Sequence, residues 1–390
     1  MKAILINTLE HGGAEKIVLN LNAGLQKMNL NLVVIVMTRM KEQYETNDSN
    51  IHYLTDYGDL RRGYSLGKLL LYPRLFFRLR KFIKKNNIEL VQSHLFSSSL
   101  MNVMARFTGC RHKVQIVTHM LVSYENRIGF GGKMKIASLK FAYKRADLLI
   151  SISKMMQIDI NENILKKKST KHIVIPNPHD IDNILEKSAE KVDEFQFEPG
   201  KKYIVTAGRL VSRKKNDVLI DAFSRFHEAY PDVELIILGD GPERTTLEEQ
   251  CTLLNISDKV NFLGFNQNPF KFITNSHFFV LASESEGLPN AVIEAMICKV
   301  PVISTDCQTG PREIIAPDTD CRIKLTDSIE KTNYGTLVPV GNIELLKEAL
   351  IDGLKDYTSM QTMSENAFEY VQKYKLDKIT AEYYNILTQN

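Results

Sequence analysis

The feature that most constrains this chain is a repeated alternation of short, nearly all-apolar runs with longer stretches of helical periodicity. Six such runs fall in the first half, at Ala3–Asn7, Leu32–Thr38, Glu89–His94, Val114–His119, Leu148–Ser153 and His172–Pro176. Six more fall in the second, at Tyr203–Ala207, Glu234–Leu238, Val260–Leu263, Phe278–Ala282, Val300–Thr305 and Thr336–Val340. Most are near-continuous Val, Ile and Leu, as expected for parallel strands covered on both faces. Strand–helix alternation of this kind builds right-handed βαβ units. Two sets of them predict an α/β chain of two doubly wound, Rossmann-like parallel sheets, and 390 residues suffice for each to bury its own core.

The expected division is a first domain over 1–183, a polar linker over 184–201 holding Pro199-Gly200, a second domain over 202–370, and a C-terminal helix over 371–390 packing back on the first domain. Doubly wound sheets bind ligands outside the carboxyl ends of their strands, at the point where strand order reverses. With two such domains facing a cleft, the chemistry is expected just after strands. Charge is divided too: residues 1–190 carry 29 Lys and Arg against 16 Asp and Glu, and the remainder carries 21 against 30. The five cysteines are scattered without a Cys-x-x-Cys pair, which argues against a disulfide scaffold or a structural zinc site. No apolar run approaches a membrane span, and the polar start does not read as a signal peptide. A reducing cytoplasm is the expected compartment.

Four segments after strands could carry chemistry. Glu10-His11-Gly12-Gly13-Ala14-Glu15 leads from the first strand into a helix, where Gly12 and Gly13 permit close approach of a ligand to backbone amides. A tight turn explains the same pattern equally well. Arg209, Arg213, Lys214 and Lys215 follow the first strand of the second half, and four cations there suit a diphosphate or a solvated turn. Gly239-Asp240-Gly241-Pro242-Glu243 is a turn into a helix, either architectural or lining the cleft. Glu286-Gly287-Leu288-Pro289 opens a helix carrying Glu294, so two carboxylates and the amides of Gly287 and Leu288 gather near one helix start.

Together these pieces resemble the retaining glycosyltransferases of the GT-B fold, in glycosyltransferase family 4. GGAE (12–15), TH (118–119), SISK (151–154), IPNPHD (175–180), GRL (208–210) with Lys214, GDGPE (239–243), EGLPNAVIEAM (286–296), TGPREII (309–315) and GTLVPVGN (335–342) follow in the family's order over almost the whole chain. The resemblance implies a nucleotide-sugar donor held by the second domain. Arg209 and Lys214 match the basic pair on the diphosphate, Glu294 the carboxylate on the ribose, and Glu286 the first Glu of a Glu-x7-Glu element beside the sugar. Gly287 and Leu288 offer amides, Gly12 and Gly13 flank the diphosphate, and His119 matches a histidine near the anomeric carbon. The base is implied near Phe262–Gly264. Glu286 and His119 are the implied catalytic residues. Departures are Pro178 and Lys215, each where the family usually has Gly, and an insert over 316–333 that is either a specificity element or a surface loop.

The resemblance implies transfer of a hexosyl or N-acetylhexosaminyl group, with UDP the favoured nucleotide, onto a saccharide acceptor in surface polysaccharide synthesis. No metal is expected, because cations and helix amides can meet the diphosphate charge; Asp180-x-Asp182 and Asp318-x-Asp320 follow no strand suited to a metal. The amphipathic stretch Pro73–Lys85 directs Leu75, Phe76, Leu79, Phe82 and Ile83 to one face and Arg74, Arg78, Lys81 and Lys85 to another. Lys133, Lys135, Lys140, Lys144 and Arg145 form a second basic stretch after the loop 123–132. These favour peripheral contact with an anionic membrane, on its inner face, and a lipid-linked acceptor. The alternative within the same architecture is a sugar-nucleotide 2-epimerase. A dinucleotide oxidoreductase lacks its Gly-x-Gly-x-x-Gly, and no nucleic-acid module is present, so no nucleic-acid partner is expected.

Overall fold

The computed structural model describes residues 1–389 except 11, 42, 47, 57–65, 126–128 and 167–169. The chain divides into two units, one of Met1–His179 with Leu376–Asn390 and one of Asp180–Lys375.

In the first unit the strands are β1 (Lys2–Ile6), β2 (Leu32–Val36), β3 (Ile51–Tyr53), β4 (Leu90–His94), β5 (Lys113–Thr118), β6 (Leu148–Ser151) and β7 (His172–Val174). They form one parallel sheet in the order β3-β2-β1-β4-β5-β6-β7. Strand order reverses between β1 and β4, which makes that junction the switch point. Helix Gly13–Lys27 follows β1 and buries Ile17, Val18, Leu21 and Leu25 at helical spacing. Helix Leu66–Lys85 lays Leu75, Leu79 and Ile83 into a core with Leu5, Ile35 and Val91.

The second unit repeats the plan with β8 (Lys202–Ala207), β9 (Val233–Leu238), β10 (Val260–Gly264), β11 (Phe278–Leu281), β12 (Val302–Thr305), β13 (Glu330–Lys331) and β14 (Thr336–Val338). The order is β10-β9-β8-β11-β12-β14-β13, parallel except for the β13–β14 pair, with the switch point between β8 and β11. Its core joins the sheet residues Leu235, Ile237 and Val280 to Phe223 and Phe226 of helix Asn216–His227.

All twelve apolar runs are strands. The structure adds β3 and β13, of three and two residues, which lie at sheet edges and carry too little apolar patterning to stand out. The expected linker requires correction. A helix spans Ile181–Ser188, capped by Asp180 accepting from the Asn183 amide. The rest of the polar segment is tied to the second unit: Glu194 pairs with Lys271 at 2.9 Å, Asn268 donates to the Lys187 carbonyl, and Phe197 packs on Tyr203. Its polarity therefore reflects surface pairing rather than freedom.

Helix Leu376–Thr388 belongs to the first unit. Its Ile379, Tyr383 and Leu387 are buried, and it lies so close to helix Gly13–Lys27 that a Cβ on Gly24 would meet Thr380 Oγ1 at 2.6 Å. Among the described residues no helix is long and apolar enough to cross a membrane.

Candidate functional site

In the second unit the candidate residues gather at the carboxyl ends of β8 and β11. Beyond β8 the chain turns at Gly208 into Arg209, whose side chain is exposed and makes no hydrogen bond or ion pair with the described residues. A short 3₁₀ turn, Ser212–Lys214, then swings Lys214 back over Gly208. Its ammonium meets Glu286 Oε1 at 2.6 Å, and the Ser283 hydroxyl donates to the same oxygen at 2.6 Å. Glu286 is only 7% exposed. Burial pushes its carboxyl up, but the Lys214 ammonium and the Ser283 hydroxyl outweigh that and hold it below the usual carboxylate range. Arg213 is drawn into the same loop, donating to the Ser285 carbonyl at 3.3 Å while its own carbonyl accepts from the Glu284 amide. Thr206, Ala207, Gly208, Leu210, Lys214, Asn216 and Leu281 line a small concavity at this switch point.

Glycines hold the two loops in register. A Cβ on Gly239 would lie 1.9 Å from the Gly208 carbonyl oxygen, and one on Gly241 would lie 2.2 Å from that of Leu210. The Leu210 amide donates to the Asp240 carbonyl and the Glu243 amide to the Leu210 carbonyl. The Gly239–Glu243 turn is thus the buttress of the Arg209 loop. Gly310, at φ +88°, plays the same part for Gly287 and Leu288, because a Cβ there would meet Pro289 Cδ at 2.4 Å. The neighbouring Thr309 hydroxyl donates to the Glu286 carbonyl. Leu288 is buried, Gly287 is half-buried, and Glu294 lies half-buried on helix Asn290–Ile297.

The insert 316–333 is anchored beneath this loop. Arg312, 1% exposed, bridges buried Asp306 at 2.7 Å and Glu330 of β13 at 2.9 Å, and donates to Thr319 Oγ1. Lys324 also reaches Asp306. The insert therefore closes a sheet edge with a buried ion network. Asp180 caps a helix, Asp182 pairs with Lys375, and Asp320 accepts from the Arg322 amide. Among the described residues no group of three His, Cys, Asp or Glu is placed to hold a metal ion.

In the first unit Gly12 caps helix Gly13–Lys27 in an extended conformation, and the Glu15 carboxylate folds back against it. Burial raises the Glu15 carboxyl. His11 lies outside the described residues. His119 follows β5 and packs against His94, with Nε2 2.9 Å from His94 Nδ1. Burial lowers the His119 imidazole to about 4, so it is neutral near pH 7. His94, Gln92 and Gln115 around it escaped the sequence reading; the signal was the polar run Gln92-Ser93-His94 ending a buried strand, with Gln115 on the neighbouring strand.

The basic segments divide. Arg78, expected to face solvent, instead donates to the Leu54 carbonyl, and Arg80 to that of Thr108, because these carbonyls otherwise lack partners at strand and helix ends. Lys81, Lys84 and Lys85 remain exposed, as do Phe77 and Phe107. Of the loop 123–132, a helix takes Val122–Glu125 and another begins at Gly129, while 126–128 lie outside the described residues.

Two doubly wound sheets of this strand order, with a cation and carboxylate pair at the second switch point, define the GT-B class of α/β protein. Two family models match the chain: Glycosyltransferase Family 4 over residues 11–183 and Glycosyl transferases group 1 over residues 187–370. An uncharacterised glycosyltransferase of Methanocaldococcus jannaschii is 34% identical over 274 residues, 66% of this chain and 64% of that protein. The N-acetylgalactosamine-N,N'-diacetylbacillosaminyl-diphospho-undecaprenol 4-alpha-N-acetylgalactosaminyltransferase of Campylobacter jejuni is 28% identical over 90% of this chain and 88% of its own. Among solved structures, Anabaena HepE in complex with UDP and glucose superposes with a TM-score of 0.77 at 19% identity, covering all of both chains. The chain belongs to the family 4 glycosyltransferases of the GT-B fold, and it is a glycosyltransferase.

Proposed function

We propose that the chain is a retaining transferase moving a hexosyl or N-acetylhexosaminyl group from a UDP-sugar to a lipid-linked saccharide in surface polysaccharide synthesis. The observation that carries this is the Lys214–Glu286 pair with Arg209 exposed beside it, at the switch point of the second sheet. Departure of a nucleoside diphosphate develops negative charge, and preorganised cations there stabilise it where water is partly excluded. Arg209 offers a planar fork to the diphosphate and Lys214 a point charge, while the Gly287 and Leu288 amides present further donors. Glu294 takes the ribose hydroxyls. Glu286, kept ionised, and neutral His119 stabilise the positively charged sugar as its bond to the leaving phosphate breaks. The departing phosphate takes the acceptor proton, and no metal is required. UDP is favoured by the HepE complex, and a lipid-linked acceptor by the substrate in the Campylobacter jejuni enzyme's name.

Membrane contact is supported by the exposed Lys81, Lys84 and Lys85 with Phe77, 61% exposed, on the same helix, and by Phe107, 66% exposed, beneath the Arg145 guanidinium. Each exposed cation contributes about 1 kcal/mol at an anionic surface, which favours a place on the inner face of the cell membrane. Liposome sedimentation at physiological salt should show preference for anionic over neutral lipid; equal binding removes this part of the reading.

The test of the transfer reading is a thermal-shift screen against UDP-, GDP-, ADP- and dTDP-sugars, with and without EDTA. A ligand at a hundredfold excess over its dissociation constant stabilises by about 2.7 kcal/mol. One nucleotide class should stabilise equally in EDTA and lose its effect in Glu294→Ala and Arg209→Ala. Stabilisation followed by release of free nucleotide with an acceptor supports transfer, whereas conversion of the sugar nucleotide without acceptor supports the epimerase.

A further inference from the structure

The first unit contains a buried line of polar side chains that ends at His119. Gln92 and His94 alternate on β4, and Gln115 and His119 occupy matching positions on and just beyond β5, with Gln92 paired in register to Gln115. The two-residue period of a strand therefore sets all four on one face of the sheet. Three of them, Gln92, His94 and Gln115, are buried where the strands of a parallel sheet are ordinarily apolar. The Gln115 Nε2 amide donates to the Ile386 carbonyl at 2.8 Å. That carbonyl belongs to the last turn of helix Leu376–Thr388, where intrahelical donors run out.

Hydrogen-bond direction follows from that one fixed end. A carbonyl only accepts, so Gln115 must present its NH₂ there and its Oε1 elsewhere. Gln115 Oε1 accepts from Gln92 Nε2 at 2.8 Å, which turns Gln92 Oε1 toward His94 Nε2 at 3.3 Å. His94 must then carry its proton on Nε2 and accept at Nδ1. Among the described residues the group at its Nδ1 is His119 Nε2, 2.9 Å away, which must be the donor. His119 is left with its proton on Nε2 and a lone pair on Nδ1. Burial holds both rings well below the usual histidine range, so neither carries a second proton that would reverse the line.

The backbone supports the same placement. Leu95, directly after His94, has φ +72° and ψ 172°, a region almost reserved for glycine and costly for a branched side chain. Its carbonyl accepts from the Ser99 hydroxyl at 2.6 Å, the His94 carbonyl accepts from the Ser98 hydroxyl, and the Ser98 amide donates to Asn7 Oδ1 beyond β1. A strained turn pinned from three sides fixes where the His94 ring stands.

We propose that Gln92, His94 and Gln115 are positioning residues, forming a relay from the C-terminal helix that locks His119 in its Nε2–H tautomer with Nδ1 as a hydrogen-bond acceptor. The group His119 meets is then a donor such as a sugar hydroxyl, rather than an anion. This rests on the reading of His119 as a residue of the transfer site. The Ile386 carbonyl, in the last turn of helix Leu376–Thr388, thereby sets the direction of the whole line.

The test reads tautomers directly in the full-length protein, by long-range ¹H–¹⁵N NMR of ¹⁵N-histidine-labelled samples, with assignments from His94→Gln and His119→Gln. In the wild type both His94 and His119 should show Nε2–H. Gln115→Leu, which touches neither histidine, should let the Nδ1–H form of His119 grow to a comparable population. In the same variant turnover should fall about 10- to 100-fold, the range for loss of an orienting partner, while nucleotide binding measured by thermal shift stays unchanged. His94→Gln retains an acceptor and should keep more activity than His94→Leu. An Nδ1–H form at His119 in the wild type overturns the relay, as does a Gln115→Leu spectrum identical to wild type. A shifted tautomer with full turnover overturns the positioning role. Should no sugar nucleotide turn over, the function proposed above fails while the spectra still decide the relay.

Discussion

At the residue scale the site depends on charges that are paired before any ligand arrives. Glu286 is nearly inaccessible, and it stays ionised because Lys214 and Ser283 meet one of its oxygens. Breaking such a pair leaves a buried charge alone, which typically costs 3–5 kcal/mol (roughly). Lys214→Ala should therefore lower stability by about that amount and raise the Glu286 carboxyl. Glu286→Gln, which retains hydrogen bonding, should fold with a smaller loss. In Glu286→Gln the transfer rate should drop by about 10²–10³, the usual consequence of removing one preorganised electrostatic partner. Steady-state kinetics beside urea unfolding of the two variants separates the effects. A Glu286→Gln enzyme as active as wild type would remove Glu286 from the reaction.

At the scale of elements, loops after strands owe their shape to contacts invisible in their own sequence. The Arg209 loop is held by Gly239 and Gly241, and the Glu286 loop by Gly310, in each case because backbone occupies the space a Cβ would need. Gly310→Ala combines a positive φ with contact at 2.4 Å from Pro289 Cδ. The expected destabilisation is about 2 kcal/mol, a fall of roughly 4–8 °C for a unit of this size. Gly200→Ala has equally positive φ, +87°, but open space around it, and should cost less. Comparing the two melting temperatures checks that packing and backbone conformation act together. Similarly, Arg312→Ala removes the main cation on Asp306, leaving it at 0% exposure with only the longer Lys324 contact and the Leu325 amide among the described residues, and should loosen the 316–333 insert, detectable as faster amide exchange across 316–333.

The elements also show how far the sequence could be read. The twelve runs were legible because most parallel strands buried on both faces are near-continuous Val, Ile and Leu, even though β4 and β5 admit buried polar residues. β13 was not, since a two-residue edge strand is defined by its partner β14 and by the Arg312–Glu330 contact. The polar segment after Asp180 was read as a linker from its charge and its Pro199-Gly200, although Asp180 as an N-cap before Ile181, Ile184 and Leu185 at helical spacing was a signal for the helix it forms. The basic helix was legible as amphipathic, yet Arg78 and Arg80 proved to serve nearby carbonyls rather than solvent.

For the molecule as a whole, acid should act unevenly. His94, His112, His119 and His172 all lie in the first unit, and burial lowers each below the ordinary histidine range, the last three to about 4. Their neutral forms are favoured by folding, so their contribution is complete above pH about 6.5 and is lost as pH falls from there toward 4. In the second unit burial lowers His277 in the same direction, and that unit's lowered carboxylates, Glu286 among them, respond below about pH 4.5. Between pH 6.5 and 4.5 the first unit should therefore lose stability faster, at about 1 kcal/mol per pH unit for each fully buried ring. Hydrogen exchange at pH 5 against pH 7.5, corrected for intrinsic rates, should show earlier loss of protection in β4–β7 than in β8–β12. Uniform loss would contradict this assignment.

From the order of residues alone came the fold class, the two sheets, and the candidate positions for ligand chemistry, because each follows from local periodicity and from motifs a few residues long. Glu286, Lys214 and His119 were named from motifs alone, and nothing local shows that Lys214 and Glu286 touch across 72 positions. Only tertiary structure decided which cations are free and which hold carbonyls, why particular glycines admit no side chain, and how a helix at the chain's end reaches β5. Those outcomes depend on strands brought side by side. They are set by hydrogen bonds and packing between residues far apart in sequence, which no local pattern encodes.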